Sequence, residues 1–140
     1  MDWSQFEKGV FLVNILGIIY NPKTRKILIG KRVSDPYVKE LGWCFPGGRP
    51  AYKNNLEFYL QKEIKKKTGL NVNVKEIILA RTPSENREFL LLYYHCEYKG
   101  GVEKPGDKLT ELKWVKPSEV QKYFTTSLDP KLLSYLKKLD

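Results

Sequence analysis

Gly42-Trp43-Cys44-Phe45-Pro46-Gly47-Gly48-Arg49, followed by Asn55-Leu56-Glu57-Phe58-Tyr59-Leu60-Gln61-Lys62-Glu63-Ile64-Lys65-Lys66-Lys67-Thr68-Gly69-Leu70, is the stretch on which the fold turns. Its first half reads as a short strand, Trp43 to Pro46, running into a pair of glycines. Its second half has helical spacing over Asn55 to Lys67, with Leu56, Leu60 and Ile64 at i, i+4 and i+8. Gly69 supplies the stop, because glycine enters the left-handed region without steric cost.

Strands flank this unit. Val10 to Tyr20 is rich in β-branched and aliphatic residues and reads as a buried strand. The turn signal Asn21-Pro22-Lys23-Thr24 leads to a returning strand, Lys26 to Gly30. Ser34 to Leu41 reads as a loop. Downstream, Val72 to Ala80 and Glu88 to Tyr98 read as long strands, and Lys99 to Lys108 as a loop. Glu111 to Val115 reads as a further strand. Helices are expected over Pro117 to Tyr123 and Pro130 to Leu139, and Trp3 to Lys8 reads as a short N-terminal helix or arm. Strands interrupted by one long helix imply an α/β protein, a mixed sheet flanked by helices.

At 140 residues, 41% hydrophobic and 29% charged, the chain suits one folded domain over 1–140. The longest apolar run, broken at Asn14, falls short of the ~20 residues that span a bilayer. Met1-Asp2-Trp3-Ser4 lacks the features of a signal peptide, so a cytoplasmic protein is expected. Cys44 and Cys96 are expected as buried thiols, not as a disulfide framework or metal ligands. The lone histidine, His95, sits in a strand-like run and reads as core or half-buried; a zinc site or serine triad would need more histidines. The net charge of +9 points to nucleotides, polyphosphate or RNA as partners, although lysine spread along the whole chain equally suits a heat-adapted surface.

The segment from Gly42 through Leu70 resembles the Nudix hydrolase signature. Set on Gly48, the signature's acidic and basic positions fall on Asn54, Lys62-Glu63 and Lys66-Lys67, and its apolar and glycine positions on Ile64, Gly69 and Leu70. One glutamate of the motif is present, Glu63; the paired glutamates are both lysine. Leu28-Ile29-Gly30-Lys31-Arg32 and Glu111-Leu112-Lys113-Trp114-Val115 extend the resemblance over nearly the whole chain. It implies a Nudix-type α/β/α sandwich, and an activity in which carboxylates on one helix face hold Mg²⁺ against a diphosphate.

Mg²⁺ takes oxygen ligands, and lysine offers three donors and no acceptor. Two Glu-to-Lys exchanges therefore turn a cation-attracting face into a cation-repelling one. At ~100° per residue, Lys67 falls on the Glu63 side of the helix, in the favourable Glu-to-Lys i, i+4 order. Glu63 is thus expected to pair with Lys67, leaving it a doubtful metal ligand or catalyst. Lys65, Lys66 and Lys67 can serve the helix macrodipole, or Lys66 and Lys67 can bind phosphate directly. A rebuilt metal site would draw on Glu57, Glu85, Glu88 or Glu111. Glu111 ranks first by the resemblance.

Arg32 and Arg49, with the glycines Gly47 and Gly48, are the expected substrate contacts. The resemblance to the GDP-sugar branch of the family places arginines at those positions on the diphosphate, where guanidinium forks suit phosphate. Tyr37, Trp43, Tyr52 and Phe89 are candidates to stack a base. Three readings stay open. The first is a binder of a nucleoside diphosphate derivative, nucleotide sugar or phosphorylated RNA end, with Mg²⁺-dependent hydrolysis lost or weak. The second is a working diphosphatase, and the third a basic RNA- or partner-binding module. The resemblance also allows a homodimer.

Overall fold

A computed structural model describes residues 3–32 and 42–140, the side chains of Trp3, Gln5 and Glu7 excepted. The expected loop Ser34 to Leu41, and Tyr37 with it, lies outside the described residues. A 3-10 helix, Trp3–Lys8, leads into β1 (Leu12–Asn21) and β2 (Lys26–Arg32), then β3 (Trp43–Cys44) and β4 (Gly47–Gly48). Next come helix α1 (Leu56–Thr68) and strands β5 (Leu70–Arg81), β6 (Phe89–Gly101) and β7 (Leu109–Val115). A second 3-10 helix, Pro117–Lys122, and α2 (Pro130–Leu139) complete the order.

The strands form one mixed sheet. Its path is β3-β2-β1-β6-β5, with β4 added to β1 and β7 to β2. The central pair, β1 and β6, is parallel over Leu12↔Phe89 to Tyr20↔Glu97, whereas the other pairings are antiparallel. Side chains alternate across such strands, and the alternation feeds a core on each face. Ile15, Ile19, Tyr94 and Cys96 pack with Leu60 and Ile64 of α1. Ile18, Ile27, Ile29 and Tyr93 pack with Leu132 and Leu136 of α2. The result is the expected α/β/α sandwich.

Local chemistry explains the ends of the elements. Asn21 Oδ1 accepts from the Lys23 N–H at 3.0 Å, closing the turn between β1 and β2. Asn55 caps α1 by accepting from the Phe58 N–H at 2.8 Å, and Gly69 ends the helix at φ 77°. Asp129 does the same for α2, accepting from the Lys131 N–H at 2.7 Å ahead of Pro130.

Three expectations need correction. The strand read as Trp43 to Pro46 is split: Trp43–Cys44 pairs with β2, while Gly47–Gly48 pairs with β1. Pro46 has no N–H to continue a ladder; its carbonyl instead accepts from the Gly17 N–H at 2.8 Å. The loop read from Lys99 begins after Gly101, because Gly100 and Gly101 take φ of 88° and 110° and let β6 pair as far as Leu70. The helix read over Pro117 to Tyr123 is a 3-10 helix.

A candidate anion-binding cavity

A cavity of about 610 Å³ opens where the N-terminal ends of β1 and β6 meet β4, the C-terminal half of α1 and the loops before β7 and α2. That volume lies within the ~300–1,000 Å³ usual for small-molecule sites.

Its construction starts from Gly47 and Gly48. A Cβ on Gly47 would lie 2.0 Å from the Ile15 carbonyl oxygen, so only glycine lets β4 approach β1 this closely. A Cβ on Gly48 would lie 2.7 Å from the Tyr59 hydroxyl and 3.2 Å from Glu63 Cγ, so α1 rests directly on this backbone. The β4 carbonyls are thereby held over the helix face that carries Glu63 and Lys67. Lys67 Nζ lies 3.3 Å from Glu63 Oε1 and donates to the Gly47 carbonyl at 2.5 Å; both charged side chains are only 15% exposed. The expected i, i+4 pair is therefore formed, with a third partner that helix geometry alone does not reveal. Tyr59 shares the cluster. Burial raises its phenol above the ordinary range, and the adjacent Glu63 carboxylate, by charge and by hydrogen bond, raises it further.

The end of α1 is capped by the following loop. The Lys104 and Gly106 N–H groups donate to the Thr68 and Lys67 carbonyls, each at 2.9 Å. This brings Asp107, at φ 54°, and Lys108 to the cavity wall. Lys65 serves the helix end itself, donating from Nζ to the Gly69 carbonyl at 3.1 Å. Lys66 is exposed on the outer side of α1 and does not line the cavity.

Arg32, at the end of β2, and Arg49, just beyond β4, both line the cavity, with Gly47 and Gly48. Arg32 lies beside β7, its Cα opposite Leu109, and its N–H donates to the Gly42 carbonyl at 2.8 Å. Glu111 does not join them. It is exposed on β7 opposite Lys31, off the cavity lining. Among the other carboxylates considered, Glu57 and Glu88 are exposed and off the lining, whereas Glu85 lines it. Glu85 is committed to Ser127, accepting from its N–H at 2.6 Å and its hydroxyl at 2.7 Å, and those bonds lower its carboxyl to about 2. Arg81 completes this clasp by donating to the Ser127 hydroxyl at 2.9 Å and its carbonyl at 3.3 Å. The loop before α2 is thus fastened as a cavity wall.

The apolar side of the cavity was only partly foreseen. Phe89 lines it; Trp43 and Tyr52 do not, Trp43 packing edge-on to Tyr123 and Tyr52 standing fully exposed. The remaining rings are Phe45, Tyr93 and Phe124, with Phe45 edge-on to Phe124 at 4.8 Å and to Tyr93 at 6.1 Å between centroids. Phe89, Leu91 and Tyr93 share one face of β6 by simple alternation, and Asn14 and Leu16 share it on β1. That signal was present in the sequence. Phe124, brought in by a loop, left none.

The remaining titratable groups stand apart. His95 is half-buried, hydrogen-bonded through Nδ1 to the Tyr135 hydroxyl, and held below its ordinary pKa chiefly by burial. Both cysteines are free thiols. Cys96 is buried, which pushes its thiol up to about 12; Cys44, expected buried, is half-buried at the cavity. Among the described residues, no three His, Cys, Asp or Glu side chains are grouped as a metal-ligand set. Among them, too, no helix is long and apolar enough to cross a membrane.

Known proteins share this architecture. A MutT-like protein of Streptomyces ambofaciens is 30% identical over 78 residues, covering 56% of this chain and 50% of the relative. The match thus spans about half the length of that curated protein. Among solved structures, an ADP-ribose pyrophosphatase from Streptococcus suis superposes with a TM-score of 0.70 at 18% identity, covering 90% of each chain. A MutT protein from Methanosarcina mazei superposes at 0.67 with 18% identity and 94% of each chain covered. At such identities the structural likeness speaks for the fold. Residues 10–136 match the family described as NUDIX domain, and the chain belongs to the Nudix family.

Proposed function

We propose that the cavity binds a nucleoside diphosphate derivative, such as a nucleotide sugar, or the phosphorylated end of an RNA, and that Mg²⁺-dependent hydrolysis is lost or weak. The observation that carries this reading is the cavity's two-sided lining. Lys67, Arg32, Arg49 and Lys108 line it together with the Gly47-Gly48 backbone, and Phe45, Phe89, Tyr93 and Phe124 supply rings. The cationic side suits phosphate oxygens, guanidinium by its planar fork and ammonium as a point charge. The rings suit a base, whose flat face stacks on aromatic side chains.

The donor set does not fit a divalent cation. Of the motif carboxylates only Glu63 remains, and it is already engaged by Lys67 and Tyr59. Asp107 and Glu85 line the same cavity, but Glu85 is bound to Ser127. The ammonium of Lys67 stands against both Glu63 and Gly47 oxygens, where it would repel an incoming metal. Water attack assisted by a carboxylate-held Mg²⁺ is therefore not assigned to these residues.

The test is a thermal-shift screen against nucleotides, nucleotide sugars and triphosphate-ended or capped RNA, each with Mg²⁺ or with EDTA. Stabilisation by one ligand class in EDTA is the expected result. A second reading, a working diphosphatase, is favoured by the structural likeness to an ADP-ribose pyrophosphatase. Mg²⁺-dependent stabilisation with product on chromatography would establish it and overturn the first.

A further inference from the structure

Lys67 is located by elements far apart in sequence. Helix α1 sets it one turn beyond Glu63, β4 offers it the Gly47 carbonyl, and the loop amide of Gly106 fixes the backbone at its own carbonyl. A carboxylate oxygen at 3.3 Å and a peptide oxygen at 2.5 Å around one positive charge in a cavity wall are the donors that a hard cation seeks. The cation occupying them is the protein's own ammonium. Two of its three N–H donors are used among the described residues, leaving one for an incoming acceptor.

We infer that Lys67 is a resident cation of the cavity, a covalently tethered counter-ion that takes the place of a divalent metal and receives the phosphate oxygens of the ligand. This rests on the phosphate-binding reading of the cavity. With Lys67 present, the Glu63–Lys67 pair is neutral, and phosphate meets an oriented N–H donor backed by Arg32, Arg49 and Lys108. Without the ammonium, the Glu63 carboxylate faces the phosphate across the cavity. One substitution therefore removes a donor and also introduces a repulsive charge, in a setting where both side chains are mostly shielded from water.

The experiment is isothermal titration of the full chain with inorganic pyrophosphate, in EDTA and in excess Mg²⁺. The wild-type protein should bind equally, within about twofold, in both. Lys67→Met should weaken binding in EDTA by ~10- to 100-fold, the size associated with ~1.4–2.8 kcal/mol. Lys62→Met, on the exposed face of the same helix against Phe58, should change it less than about twofold. Glu63→Gln combined with Lys67→Met should recover part of the loss, because the bare carboxylate is gone. In Lys67→Ala, Mg²⁺ should now strengthen pyrophosphate binding, the vacated oxygens becoming open to it. Far-ultraviolet circular dichroism checks that each variant is folded, and Lys67→Gln replaces any that is not. Wild-type binding that requires Mg²⁺, or a Lys67→Met protein that binds as wild type, overturns the resident-cation inference while leaving the phosphate cavity standing. No binding of pyrophosphate or any nucleotide in either buffer overturns the cavity reading, and the inference with it.

Discussion

Replacing Gly17 by alanine would place a methyl group between the central sheet and α1, the helix that carries Glu63 and Lys67. An ideal Cβ there lies 2.8 Å from Ile64 Cδ1 and 3.1 Å from Cys96 Sγ, both well inside ordinary van der Waals contact. Ile64 and Cys96 are fully buried, so neither can swing into solvent. Overpacking of this kind costs ~1–3 kcal/mol, offset in part by the ~0.5–1 kcal/mol that alanine gains over glycine in a strand interior. The single variant should thus lose up to ~2.5 kcal/mol, ~1 kcal/mol at the middle of both ranges. Ile64→Val removes the offending Cδ1 and by itself costs ~0.5–1.5 kcal/mol. In the double variant the new methyl occupies the space that Cδ1 vacates, and only the Cys96 contact remains tight. Its loss should fall below the sum of the two single losses by about 1 kcal/mol, well outside the ~0.3–0.5 kcal/mol scatter expected of independent sites. Urea unfolding of the four proteins, with equal m-values, measures this coupling. Additive losses would refute the packing of α1 on β1, and with it the placement of Lys67.

Glu85 predicts a pH dependence. Its folded-state carboxyl is lowered to about 2 from an ordinary 4.5 by its hydrogen bonds to Ser127. The stabilisation is therefore fully present above ~4.5 and is lost as pH falls toward about 2. Glu85→Gln should flatten the fall in melting temperature across that window; an unchanged acid profile would count against the clasp. Phe124→Ala should separate the two sides of the cavity. Loss of one stacking ring should weaken nucleotide binding by ~5- to 150-fold, the equivalent of ~1–3 kcal/mol, while leaving pyrophosphate affinity within about twofold. Equal loss for both ligands in calorimetry would place the base elsewhere.

Much of the sandwich was legible without coordinates. The apolar periods of β1, β6 and α1 and the Gly69 stop act over a few residues, so local chemistry decides them. The same holds for the ion pair of Glu63 with Lys67, since both lie on one helix turn. The separation of Lys66 from Lys67 was less clear. Neighbouring residues on a helix face different directions, yet only the position of β4 shows which direction is the cavity.

Contacts between distant segments were decided by tertiary structure alone. Gly47 reads locally as a flexible residue; its carbonyl becomes a partner of Lys67 only because β4 is pressed against β1 while α1 lies on top. Phe124, Glu85, Ser127 and Asp107 sit in loops with no periodicity, and their meeting at one cavity depends on where the sheet and helices deliver the loop ends. Glu111, expected near the site, is exposed on β7 opposite Lys31 and off the cavity lining, although Leu109 two residues earlier lines it; between them the ladder with β2 shifts register, which local sequence does not reveal. Sequence determined that the helix would offer cations in place of carboxylates, because side-chain chemistry needs no fold to be read. The fold decided which of those cations is buried against oxygen and which is left in water, because burial and long-range contact are properties of the packed chain.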